Sequence, residues 1–142
     1  MEIPKNLKNR LLNELDFVIQ KVGEETDMAR KLYFLSAAHG AIARTMRFHL
    51  ENELVIAHYI LNVCYSTFLD RFNRLKAGDK TIPLPDDWSE RIVQYLSQLS
   101  ALIRKDQKVY PALEKIMRLT YSVTGPGYYT LSYLQPSNTV AE

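Results

Sequence analysis

Apolar residues recur at intervals of three and four along most of this chain, the spacing that places them on one face of an α-helix. The first such segment runs from about Pro4, which suits a first helical turn, to Val22. Gly23 follows it and suits a left-handed stop. The apolar face of this predicted helix consists of Ile3, Leu7, Leu11, Leu15, Val18 and Val22.

Two further helical segments follow, separated by polar residues. The second segment has apolar positions from Met28 to Leu50, after acidic residues that favour the positive end of a helix dipole. The third runs from Leu54 to Leu75, and Ala77-Gly78-Asp79 is predicted to close it. Its first half is apolar nearly all round. That pattern is typical of a central helix buried by several neighbours. Residues 51–53 predict a break between the two segments, and a single bent helix is the alternative.

Proline and glycine divide the rest of the chain. Two prolines within residues 81–85 predict an extended linker, because each disfavours a helical conformation in the residue before it. Asp87, with Glu90 three residues later, predicts a capping box at the start of a fourth helix. Pro111 predicts the first turn of a fifth helix. Beyond Thr124, a Gly-Pro-Gly turn predicts that the chain leaves the helical part.

The predicted fold is therefore all-α: a five-helix antiparallel bundle with long helices over residues 1–124. Residues 125–142 are predicted to form an extended aromatic C-terminal arm. A slender bundle of long helices exposes much of its flank, so we expect it to associate into a homodimer.

Composition narrows the class of protein but does not identify a function. Of the 142 residues 46% are hydrophobic and 24% are charged, which excludes intrinsic disorder, collagen and disulfide scaffolds. No run approaches the ~18 apolar residues of a membrane span, and the first residues lack the apolar core of a signal peptide. Cys64 is the sole cysteine, which predicts a buried, inert thiol and a reducing, cytoplasmic location.

His39 and His58 lie on apolar faces, but they do not predict a metal site. A metal site in a helical bundle needs two ligands on one face, as in Glu-x-x-His or His-x-x-x-His. Neither spacing occurs around these histidines, so we interpret them as buried, hydrogen-bonded side chains. We expect no metal and no cofactor.

Arg44 and His49 are the candidates for catalysis. Four residues separate them, and this spacing resembles the arginine–histidine motif of HEPN domains. The general shape of the chain also resembles small helix-hairpin bundles of the HEPN and translin-like kinds. The resemblance implies that Arg44 and His49 meet across a dimer and cleave RNA, or that the protein only binds nucleotides or partners. An arginine stabilises phosphorane charge and a histidine transfers a ribose proton. The alternative is solvated charge that suits the end of the second helix.

Basic residues near the fourth and fifth helices are candidates for contacts with a nucleic-acid backbone, although a solvated surface explains them equally well. They are Arg104, Lys105, Lys108, Lys115 and Arg118. A second basic cluster at the end of the third helix comprises Arg71, Arg74, Lys76 and Lys80. The net charge of +2 is far below that of a dedicated nucleic-acid-binding domain.

Three tyrosines of the arm, Tyr128, Tyr129 and Tyr133, are candidates for contacts with a second protomer or another protein. Alternatively, they cover their own bundle. Because hydrolase motifs are missing from the sequence, the leading prediction is a non-enzymatic helical interaction module that acts as a homodimer. The alternatives are a HEPN-like RNA- or nucleotide-acting protein and a non-specific nucleic-acid binder.

Overall fold

A computed structural model of the chain describes residues 1–124. Within these residues there are five α-helices and no strand, which confirms the predicted all-α bundle. The helices are α1 (Lys5–Glu24), α2 (Met28–Met46), α3 (Asn52–Lys76), α4 (Trp88–Arg104) and α5 (Tyr110–Tyr121). The predicted arm at residues 125–142 lies outside the described residues.

The helices form a closed ring around one core, in the order α1, α2, α3, α5, α4. Each helix packs against the two beside it, and all five contribute buried apolar side chains to the core. An odd number of helices cannot alternate in direction all the way round a ring. One neighbouring pair must therefore run parallel, while the other four pairs run antiparallel as predicted.

The parallel pair is α3 and α5. Glu53, in the first turn of α3, accepts a hydrogen bond from the backbone N–H of Val109, which precedes α5 (3.0 Å). Eleven residues further along both helices, the side chain of Thr120 hydrogen-bonds the thiol of Cys64. This equal offset shows that the two helices advance in the same direction, and it fixes their register.

The linker between α3 and α4 packs where α3 extends beyond the end of α5. Trp88 is buried and packs edge-to-face on Phe68, with ring centroids 5.2 Å apart. Leu84 is also buried, and the guanidinium of Arg71 donates to the backbone oxygen of Ile82. Arg71 is only 4% exposed, so its assignment to a solvated basic cluster is wrong. It instead holds the linker against α3.

The ends of α3 and α1 differ in the role of glycine. Gly78 has a φ of +97°, and the following N–H of Asp79 bonds the oxygen of Arg74 (2.8 Å), which closes α3 as predicted. Gly23, by contrast, lies inside α1, and the helix ends where Glu25 becomes extended. The predicted left-handed stop at Gly23 is therefore wrong.

The N-terminal caps also differ from the prediction. The carboxylate of Asp27 caps α2 by accepting the N–H of Arg30 (3.0 Å). The side chain of Asp87 makes no capping hydrogen bond at α4, so the predicted capping box with Glu90 does not form.

The polar stretch between the second and third segments is a true break, not a bend. The second helix ends at Met46 and the third begins at Asn52. Leu50, predicted to lie on the apolar face of the second helix, is instead in the connection and 76% exposed.

Candidate functional site

Arg44 and His49 do not converge within one chain. Arg44, in the last turn of α2, forms an ion pair with Glu14 of α1. Its Nη1 lies 3.5 Å from where a Cβ on Gly40 would stand, so the guanidinium extends back along α2, away from His49. The Nε2 of His49 lies 3.2 Å from the carboxylate of Glu51. Each predicted catalytic residue is therefore engaged with an acidic side chain of its own chain.

His39 and His58 meet in the groove between α2 and α3. Their ring centroids are 5.5 Å apart and the rings are nearly perpendicular, with Tyr65 on the other side of His39 at 6.0 Å. Both histidines are half-buried, where full burial was expected. Burial, and then the charge of His58, lowers the pKa of His39, because each disfavours its imidazolium form. Two imidazoles come together here, and the part of the chain that is described holds no group of three or more metal-ligating side chains.

The five basic candidates do not form one stripe. Arg104 faces α1, where it pairs with Asp16 (3.0 Å), while Lys115 reaches from α5 to Gln98 of α4 (3.0 Å). Arg118 pairs with Glu114, one turn earlier on α5 (2.7 Å). Two further candidates, Lys105 and Lys108, are exposed in the connection between α4 and α5. The structure thus distributes these charges over different sides of α4 and neutralises part of them.

Cys64 is fully buried in the core, which confirms the predicted burial. Burial raises the pKa of its thiol to about 12, although the hydrogen bond with Thr120 opposes the shift. Since the thiolate is the reactive form, this thiol is inert at neutral pH.

An open groove of about 330 Å³ lies between α1 and α2. Its walls include the apolar side chains of Phe17, Val18 and Ala37, and its charged groups are Glu14 and Arg44. Because these two charges already bind each other, they offer a ligand no unsatisfied group.

A concentration of exposed apolar side chains surrounds the connection between α2 and α3. We call it the corner surface and define it by Phe48, Leu50, Val55, Ile56 and Tyr59, which are 70%, 76%, 44%, 38% and 60% exposed. The first two lie in the connection and the other three on the outer face of α3. The prediction that neighbours bury this part of α3 on all sides is therefore wrong, because the ring places only α2 and α5 beside it.

The sequence pattern predicts burial for Val55, Ile56 and Tyr59 and places Leu50 on the apolar face of the second helix, and it assigns no role to Phe48. The signal that distinguishes them is the length of the uncharged segment. From Leu54 to Leu69 the chain contains no Asp, Glu, Lys or Arg. The two helices that pack on this segment, α2 and α5, leave part of its apolar surface exposed. Exposed apolar patches of several hundred Å² on a folded protein mark interaction sites.

No protein-family model, curated protein or solved structure matches this chain. Among the helices of residues 1–124, none is both long and apolar enough to cross a membrane.

Proposed function

We propose that this chain is a small, non-enzymatic helical interaction module that acts as a homodimer. The observation that carries the proposal is the corner surface, where five large apolar side chains within twelve consecutive residues are exposed. Such a surface gains free energy when a partner removes it from water, at about 25 cal/mol for each Å² of apolar area.

The local pairing of the charged candidates supports binding over catalysis. A general base or a cation that stabilises a transition state must be directed at substrate. Arg44 and His49 are directed at Glu14 and Glu51, and Arg104 and Arg118 are likewise paired with carboxylates. Using any of them on RNA would first require breaking its contact with a carboxylate.

The proposal places the module in the cytoplasm, which the free, buried Cys64 supports, because a reducing compartment keeps thiols free. It also assigns a second contact, to another protein, to the tyrosines of the arm, Tyr128, Tyr129 and Tyr133.

Light scattering of the purified chain over a range of concentrations tests the homodimer. We expect the full chain, whose mass is 16.5 kDa, at twice that mass, and a version that ends at Thr124 at twice its own smaller chain mass. The shorter version keeps all five helices, so it retains the corner surface. A monomer in both cases would contradict the proposal, and a dimer only with the full chain would move the interface to the arm.

Two assays test the alternative functions. RNA cleavage by the purified protein that is lost in His49→Ala would replace the proposal with the HEPN-like function. Salt-sensitive binding to RNA or DNA that is lost when Lys115 and Arg118 are neutralised would favour the nucleic-acid binder. We expect neither result.

A further inference from the structure

The outer face of α3 combines exposure with an absence of charge. Val55, Ile56 and Tyr59 lie on this face, and Val63 continues it half-buried. Between Leu54 and Leu69 the ionisable side chains are the imidazole of His58, the thiol of Cys64 and the phenols of Tyr59 and Tyr65. His58 points into the groove with α2, where its ring packs on His39. An outer face without fixed charge therefore runs along most of the length of α3.

We propose that this face is the dimer interface and that α3 packs against α3 of a second copy of this chain in the antiparallel direction. The inference rests on the proposed function, because it requires the chain to dimerise. It goes further by naming the surface, the symmetry and the residues at the two-fold axis.

The area of the corner surface fits a second copy. The exposed fractions of the five side chains add up to about three fully exposed side chains, which at roughly 150 Å² each, the lower end of the aromatic range, give on the order of 450 Å². This is more than half of the ~800 Å² that each partner contributes to a stable interface of standard size. The half-buried residues at the edge of the surface, such as Val63, supply the remainder.

Charge also favours a second copy over a different protein. A two-fold interface brings the same patch of both protomers together, so a patch with charge of one sign would repel itself. The uncharged face of α3 avoids this repulsion and offers no charge that would select a basic or acidic partner.

The acidic start of α3 selects the antiparallel direction. Glu51 precedes the first turn of α3 and Glu53 lies within it. Glu53 faces α5 and is mostly buried, so the carboxylate that a second copy meets is that of Glu51. Parallel packing would place Glu51 beside Glu51 of the second copy, whereas antiparallel packing separates the two. A two-fold axis at Tyr59 sets this residue against Tyr59 of the second copy and Val55 against the second copy's Val63, and it leaves the two Glu51 residues about 24 Å apart along the helices.

Charge substitution at Tyr59 provides the first test, with Tyr33 as the matched control. Tyr33 is 70% exposed and packs on Phe34 near the start of α2, whereas the corner surface lies beyond the end of that helix. In sedimentation or light scattering of the full chain, we expect Tyr59→Glu to raise the dimer dissociation constant at least about 30-fold, the loss typical of a central aromatic contact. Tyr33→Glu should leave the dissociation constant unchanged, and both variants should keep the helical circular dichroism of the parent.

Thiol cross-linking provides the second test, because Cys64 is buried and unreactive. A short bismaleimide should join two copies of Tyr59→Cys efficiently, since the introduced thiols face each other at the axis. Tyr33→Cys, treated in the same way, should remain largely uncross-linked.

The outcomes separate this inference from the proposed function. A dimer that survives Tyr59→Glu, and that the reagent does not join through Tyr59→Cys, overturns the α3 interface and leaves the homodimer standing. A monomeric parent chain overturns both. A full chain that is monomeric while the version ending at Thr124 dimerises also overturns the inference, because residues 125–142 then cover the surface.

Discussion

The hydrogen bond from Val109 to Glu53 offers the sharpest test of how α5 is held beside α3. The carboxylate of Glu53 is mostly buried and accepts the N–H of Val109, a residue that is itself fully buried. No side chain of α5 caps its own N-terminus, so a residue distant in sequence supplies this acceptor. We expect Glu53→Ala to destabilise the fold markedly.

The magnitude follows from two losses. A buried N–H without an acceptor costs about 1–3 kcal/mol. Removing a negative charge from the start of a helix costs about 0.3–1 kcal/mol more, because the helix dipole is positive at that end. Glu53→Ala should therefore lower the free energy of unfolding by about 2–3 kcal/mol. Glu53→Gln keeps an acceptor oxygen and loses the charge, so it should cost about 1 kcal/mol.

Urea denaturation followed by circular dichroism measures both values, with all proteins compared at one concentration because the proposed dimerisation would add to apparent stability. Glu114→Ala is the matched control. It removes a carboxylate that forms an exposed ion pair with Arg118 on α5, which contributes less than about 0.5 kcal/mol. If Glu53→Ala lowers the free energy of unfolding no more than this control does, or if Glu53→Gln lowers it as much as Glu53→Ala, the hydrogen bond from Val109 to Glu53 does not position α5.

The remaining predictions concern glycine, histidine and cysteine. Gly40→Ala should stabilise the fold by about 0.5–1 kcal/mol in urea denaturation, because its Cβ would meet only the flexible end of Arg44 at 3.5 Å. Gly78→Ala should destabilise the fold by about 1 kcal/mol, since a φ of +97° strains any other residue. If both substitutions change the free energy of unfolding in the same direction, the argument is refuted. His39 has a pKa below its ordinary 6.5 in the folded chain, so the unfolded chain binds a proton more readily. Stability should therefore fall as the pH drops below about 6.5 and down to the folded pKa, and a His39→Gln variant that keeps the same slope would refute this cause. Cys64 should resist thiol reagents at pH 8 until denaturant unfolds the chain, and rapid labelling of native protein would contradict its burial.

The elements of this fold were predictable because their signals are local. Apolar periodicity predicts all five helices, and the polar residues before Asn52 predict the break between α2 and α3. Gly78 is a correct stop because the residues on either side supply the bonds that close the helix. Gly23 does not end α1, since a chain can remain helical through a glycine and no neighbouring residue requires a turn there.

The non-local features were not predictable in this way. The parallel packing of α3 and α5 results from closing a ring of five, which depends on the number of helices and on contacts between residues far apart in sequence. Arg71 illustrates the same limit, because its charge predicts exposure. The bond to the oxygen of Ile82, eleven residues later, and the packing of the linker bury it instead. The candidate pair Arg44 and His49 has the spacing of a motif, but the direction of each side chain is set by its acidic partner.

The outer face of α3 shows why an apolar pattern alone cannot separate folding from binding. A helix that is apolar all round is buried either by its own chain or by another, and both cases use the same residues. The ring of helices shows that residues 1–124 leave Val55, Ile56 and Tyr59 exposed. Because these side chains are exposed, a polar residue at any of them would cost the isolated fold little, within about 0.5 kcal/mol. The folding of residues 1–124 therefore does not account for the apolar character of this face, whereas the proposed packing against a second α3 would.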